Sequence, residues 1–177
     1  MLTVAQKASL LKLARSAAAA RVLGQPPLHV ETAELPEVSG VFVTIKRRGE
    51  LRGCLGTLEH GCRLAEEVAR CAANSASEDP RFAAVSADEL PELHLEISVL
   101  GPLEPIDAAM ESFTIGVHGL VVEQGVRRGL LLPQVATEWG WTPTQFLRQT
   151  CLKAGLAPDA WQRGAEVYRF AAEVFGD

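Results

Sequence analysis

In the stretch Gly49-Glu50-Leu51-Arg52-Gly53-Cys54-Leu55-Gly56-Thr57-Leu58 a guanidinium, a thiol and three glycines crowd into ten residues. Read as a β-strand, its period of two puts Glu50, Arg52, Cys54 and Gly56 on one face, so Arg52 and Cys54 are same-face neighbours. A cation that close favours the thiolate, the form in which cysteine acts as nucleophile or metal ligand. Gly53 and Gly56 would leave bare backbone for a substrate to approach. The plainer alternative for the same residues is a small buried cysteine beside a surface arginine.

Four further groupings carry chemical potential. His118, between glycines in Gly116-Val117-His118-Gly119, could act as general acid or base with open approach on both sides, or simply as a structural hydrogen bonder. Whether it joins Cys54 depends on spatial proximity, which spacing does not set. Cys54, His60 and Cys62 form a Cys/His grouping, but the spacing matches no zinc pattern and a fourth ligand would have to come from His118 or the acids. No structural zinc is therefore expected, while a catalytic metal held by some of these residues is the weaker alternative. His94 and Glu96 share a strand face, as an acid/base couple or a solvated outer face. Glu78-Asp79-Pro80-Arg81 could present carboxylates and a cation to a substrate through Glu78 and Arg81, or pair with itself as a surface loop.

The elements that must position these groups follow from periodicity. Val4, Ala8, Leu11, Ala14, Ala18 and Val22 predict an amphipathic helix over Thr3 to Val22, ended by Gly24 and Pro26-Pro27. Gln25 to Ser39 reads as a surface loop. Val41 to Ile45 reads as a strand and Arg48-Gly49 as a turn. Leu51 to Leu58 then returns as the second strand of a hairpin, where Gly53 and Gly56 mark a bulge or a close approach by another group. Arg63 to Ala76 is a helix with Leu64, Val68, Cys71 and Ala72 inward and Glu66 four residues before Arg70.

Ser86-Ala87-Asp88-Glu89 is a capping box that opens a one-turn helix from Ala87 to Pro91. Strands are expected over Leu93 to Leu100, Phe113 to Val122 and Leu130 to Leu132, and a short helix opens at Pro133. Thr142-Pro143-Thr144-Gln145 is a second capping box. The helix it opens turns Phe146, Leu147, Cys151 and Ala154 inward and ends at Gly155. Glu166 to Phe170 closes the chain as a strand. Hairpins without a regular β-α-β rhythm predict an α+β fold with a largely antiparallel sheet and flanking helices.

The 177 residues suit a single domain, or one with a small lobe, and 47% hydrophobic with 22% charged residues is a globular balance. A formal charge of -5 argues against a general nucleic-acid binder. The basic cluster Lys46, Arg47, Arg48 and Arg52 is better read as a solvated strand end. No apolar run approaches the ~20 residues of a membrane span, and no secretory signal is visible. A cytoplasmic protein with four free thiols is expected.

Together the pieces resemble the AMMECR family, whose hallmark Leu-Arg-Gly-Cys-Ile-Gly stands here as Leu51-Arg52-Gly53-Cys54-Leu55-Gly56. The resemblance continues through Glu78-Asp79-Pro80-Arg81-Phe82, Leu90-Pro91, Glu96-Ile97-Ser98-Val99-Leu100 and Gly116-Val117-His118-Gly119. It ends with Leu131-Leu132-Pro133-Gln134-Val135-Ala136 and Cys151-Leu152-Lys153-Ala154-Gly155-Leu156. Ala83-Ala84 replaces prolines common in the family. Gln134 replaces a frequent Glu, so any acid/base role of that Glu is not available here.

The resemblance implies one AMMECR-type domain over residues 1–177, with a larger and a smaller lobe and the hexapeptide at a cleft. It also implies MEMO-type and radical SAM proteins as partners, but it names no cofactor and no reaction. The leading expectation is a cysteine-dependent enzyme, or enzyme component, acting on a small molecule or a modified macromolecule such as RNA. Cys54 would be nucleophile or ligand, Arg52 thiolate stabiliser or anion clamp, and His118 acid/base, with Gly53, Gly56, Glu78 and Arg81 on the substrate side. The alternative is a non-catalytic module that docks onto those partners through the hexapeptide. Nucleic-acid binding through Lys46-Arg47-Arg48 and Arg52 ranks third.

Overall fold

The computed structural model describes residues 2–27, 35–36, 38–58, 63–108 and 112–177. His60 and Cys62, with the grouping they form, lie outside the described residues, as does much of the 25–39 loop. Two compact units result: Met1–Leu100 with Glu173–Asp177, and Gly101–Ala172.

In the first unit, helix α1 (Val4–Leu23) starts at a capping box between Thr3 and Gln6 and stops at Gly24, whose φ of 64° is left-handed. Strands β1 (Gly40–Arg47) and β2 (Glu50–Thr57) form a hairpin over Arg48-Gly49. Both turn residues have positive φ, 54° and 84°, the signature of the tight two-residue turn that matches strand twist. Pairing places Ile45 opposite Gly53 but Lys46 opposite Leu51, so Arg52 is the extra residue of a β-bulge.

Helix α2 (Leu64–Ser77) turns Leu64, Val68, Cys71, Ala72 and Ala76 into the core, where Val41, Val43 and Ile45 of β1 meet them. Its Arg70 forks onto Glu67, and Glu66 pairs with Arg63 rather than with Arg70 as the four-residue spacing suggested. A 3-10 helix (Ala87–Glu92) opens on the Ser86/Glu89 capping box and runs one residue past Pro91. Strand β3 (Leu93–Leu100) pairs antiparallel with β1, giving the order β2-β1-β3 with β2 outermost.

In the second unit, β4 (Glu104–Pro105) and β5 (His118–Gln124) each pair antiparallel with β7 (Glu166–Gly176), and β6 (Arg127–Leu131) pairs with β5. Helices α3 (Pro133–Glu138) and α4 (Pro143–Lys153) add to this core, which gathers Leu120, Val122, Phe146, Leu147, Cys151 and Val167 with Phe113 and Ala160 from outside the strands and these two helices. The strand expected from Phe113 begins only at His118. Gly116 turns with φ 78°, and the N–H groups of Val117 and His118 both bond back to the Thr114 carbonyl. The final strand extends six residues beyond Phe170, through Ala171-Ala172-Glu173-Val174-Phe175-Gly176, where apolar and polar residues do not alternate and so give no period-two signal. All described strand registers are antiparallel and the fold is α+β.

Candidate functional site

The hairpin and α2 meet at backbone distance. A Cβ on Gly53 would lie 2.0 Å from the Ser75 carbonyl oxygen, so only glycine fits. The Ser75 hydroxyl stands at the same contact, donating to the Val43 carbonyl and accepting the Leu55 N–H, both at 2.8 Å. A Cβ on Gly56 would fall 2.3 Å from the Phe42 ring. The expectation that these glycines clear space for a substrate is therefore corrected: the protein itself fills the space, and the close approach expected at both positions is what the glycines permit.

Cys54 stands directly opposite Thr44. Its backbone points away from β1 toward the outer edge of β2, where the segment after α2 meets it. The Cys54 N–H donates to Asp79 Oδ2 at 2.9 Å, and Arg81 Nη2 donates to the Cys54 carbonyl at 3.3 Å. Arg81 also forks onto Asp79, Nε to Oδ1 at 3.0 Å and Nη2 to Oδ2 at 2.7 Å, with its own N–H on Oδ1. The Arg81 guanidinium, helped by the N–H groups of Cys54 and Arg81 and opposed by burial, holds the Asp79 carboxyl far below the usual carboxylate range. Asp79 in turn raises the Arg81 guanidinium, with a smaller contribution from Cys54.

The Thr44 hydroxyl donates to Cys54 Sγ at 3.2 Å. Cys54 is thus pinned at its N–H, its carbonyl and its sulfur, and it is partly open to solvent. Cys71 and Cys151 are buried in the two cores as the helical patterns predicted, and burial pushes the Cys151 thiol up.

Arg52 sits elsewhere than its sequence spacing suggests. The bulge re-aims it toward the 3-10 helix, where Nε and Nη2 fork onto Glu89 at 2.9 Å while Nη1 and Nη2 cap the Ala83 and Ala84 carbonyls. Its guanidinium is consumed by structure, and the cation that contacts Cys54 is Arg81. Glu89 is buried and also takes Arg47; Lys46 pairs with Glu96 and Arg48 with Glu92, so every member of the basic cluster has a carboxylate.

Arg52 first, then the Ser86 N–H, lower the Glu89 carboxyl from 4.5 to about 2 against the cost of burial. A depressed folded value means stability that is present above the unfolded value and lost as pH falls through the folded one. Glu89→Gln is expected to cost about 2 kcal/mol at pH 6 and about half of that at pH 3. Urea midpoints at the two pH values check this, and equal losses at both would count against it.

The remaining candidates have partners of their own. Glu78 pairs with Arg21 of α1 at 2.7 Å. His118 belongs to the second unit, whereas Cys54 belongs to the first. Its Nδ1 accepts the Thr114 N–H at 3.0 Å, which leaves the imidazole proton on Nε2. Among the described residues no three His, Cys, Asp or Glu side chains gather closely enough to hold a metal ion. Two contributors escaped the sequence reading, Thr44 and Ser75. Thr44 had a usable signal in its alternation with the apolar residues of β1, but Ser75 looks like any small residue of a helix.

These features define a class: α+β proteins with a backbone-clamped cysteine on the outer strand of a β-hairpin. The AMMECR1 family model matches residues 11–175, and the chain belongs to that family. A protein of Methanothermobacter thermautotrophicus is 43% identical, the match covering 94% of this chain and 92% of that protein. One from Thermococcus gammatolerans is 48% identical over 80% of this chain and 74% of the other. The crystal structure of an uncharacterized protein from Pyrococcus horikoshii superposes with a TM-score of 0.84 at 39% identity, covering 95% of this chain and 89% of that one. Among the described residues no helix is long and apolar enough to cross a membrane.

Proposed function

We propose that the chain is a cysteine-dependent enzyme component in which Cys54 is the reacting group, acting on a small molecule or a modified macromolecule in the cytoplasm. The observation that carries this reading is the three-way fixation of Cys54. Asp79 and Arg81 hold its peptide groups, Thr44 donates to its sulfur, and the residue still reaches solvent. Two of these contacts satisfy peptide groups that any strand residue must pair, while the Thr44 hydroxyl fixes the sulfur itself, and a nucleophile gains from a sulfur held in place. After its proton passes to water, the sulfur would form a bond to an electrophilic atom of the substrate. As it does so, a bond from that atom to a leaving group, or a π bond, breaks and its electron pair departs with the group or the far atom, which takes a proton from water. The partners we propose, on the sequence resemblance alone, are MEMO-type and radical SAM proteins.

Alkylation by iodoacetamide at neutral pH, followed at Cys54 by peptide mass spectrometry, tests the reading. Cys54 is expected to react faster than a cysteine in an unstructured peptide, because its sulfur is held in place and reaches solvent. A rate no faster than the peptide's removes the nucleophile role and leaves the hexapeptide as a docking surface.

A further inference from the structure

We infer that the Cys54 site takes a substrate bearing an anionic oxygen group, a carboxylate or a phosphate, and that Arg81 Nη1 binds it. The inference rests on the reading of Cys54 as the reacting group and adds the class of molecule that reaches it.

The guanidinium inventory around the hairpin carries the argument. Arg47 and Arg52 each spend all three nitrogens on carboxylates or carbonyls. Arg48 spends Nε and Nη2 on Glu92, but among the described residues no bond joins it to Cys54 or to a buried carboxylate. Arg81 spends two: Nε and Nη2 go to Asp79, and Nη2 also reaches the Cys54 carbonyl. Its Nη1, with two N–H donors, has no partner among the described residues. This guanidinium is aimed rather than loose. The Asp79 fork fixes it from one side, the Phe82 ring lies 5.4 Å from its centre, and the side chain is 54% exposed while Asp79 beneath it is 2% exposed.

A guanidinium locked by a buried carboxylate, with the single nitrogen Nη1 left to donate, can bind one oxygen of a carboxylate or phosphate. It is anchored on the very residue that carries the thiol. Asp79 cancels the net charge of Arg81, so attraction acts at hydrogen-bond range, and the selectivity it gives is modest.

The test compares two alkylating probes of similar size on the full chain, anionic iodoacetate and neutral iodoacetamide. The readout is their rate ratio at Cys54 divided by the same ratio at a peptide thiol. The normalised ratio is expected near threefold, the size of an exposed charge-assisted contact. It should fall to one in the double variant Asp79→Asn/Arg81→Gln, where an amide pair replaces the ion pair and no buried charge is stranded. On the wild type alone, inorganic phosphate at chloride-matched ionic strength should slow iodoacetate and spare iodoacetamide. A wild-type ratio of one or below, a raised ratio that survives in the double variant, or phosphate slowing both probes equally overturns the inference. Slow reaction with iodoacetamide but a raised ratio would overturn the nucleophile reading and leave the anion site standing.

Discussion

Gly53→Ala is expected to cost about 3 kcal/mol of stability, at the upper end for overpacking a well-filled interior. The added methyl would sit 2.0 Å from the Ser75 carbonyl oxygen and 3.0 Å from its carbonyl carbon. Both are helix backbone, so no flexible side chain can swing aside, and either α2 or β2 must move as a body. That movement would also break the Ser75 hydroxyl bridge between Val43 and Leu55, adding unpaired buried backbone groups to the steric cost. The neighbouring residue is Cys54, so the displacement should loosen the clamp as well as the fold. Urea denaturation measures the loss directly. A change under about 0.5 kcal/mol, the range of an ordinary surface substitution, would show that the hairpin and α2 are not in backbone contact.

The contrast between Gly53 and Arg52 shows what the sequence could carry. The glycine signalled an unusual approach, and its type alone was enough, because a strand interior tolerates glycine poorly without a reason. What approaches it is a helix rather than a substrate, a distinction that depends on where residues 22 positions further along the chain are placed. Arg52 was assigned to the Cys54 face by strict alternation. A bulge adds one residue and breaks the period, and nothing local announces it when the extra residue is an arginine.

Asp79 and Arg81 were legible as a charged loop with chemical potential. Their seat on Cys54 was not, because it depends on how the chain leaves α2. The bounds of α1, the inward stripes of α2 and α4 and the hairpin were legible for the opposite reason: period and capping are local properties. The stripe expected on α1 is corrected, because Val4 and Ala8 are exposed while Leu10 and Ala17 are buried beside Ala14 and Ala18.

Arg81→Ala should destabilise the protein by about 3 kcal/mol, while Asp79→Asn should cost about 1 kcal/mol, although the two residues form one pair. The asymmetry follows from burial. Removing Arg81 strands a carboxylate whose side chain is 2% exposed, with two backbone N–H groups as its remaining donors. Removing the charge of Asp79 instead frees a guanidinium that is already 54% exposed and can hydrate, and the asparagine oxygen still accepts the Cys54 N–H.

The pH dependence separates this account from a simple loss of packing. In the wild type the Asp79 carboxyl lies below its ordinary value, so its contribution is present above the unfolded pKa of about 4 and is lost as acid protonates it. Without Arg81, burial becomes the dominant influence and acts in the opposite direction, so protonation of Asp79 relieves the stranded charge. The stability gap between wild type and Arg81→Ala should therefore be widest near neutral pH and narrow as pH falls toward 4 and below. For Asp79→Asn the cost can only shrink toward acid as the wild type loses its own advantage, and it starts from a smaller value. Urea midpoints for the three proteins at pH 7, 5 and 3.5 decide the matter. Equal costs for the two variants, or a gap for Arg81→Ala that holds constant across pH, would mean that Asp79 does not depend on Arg81 for its charge.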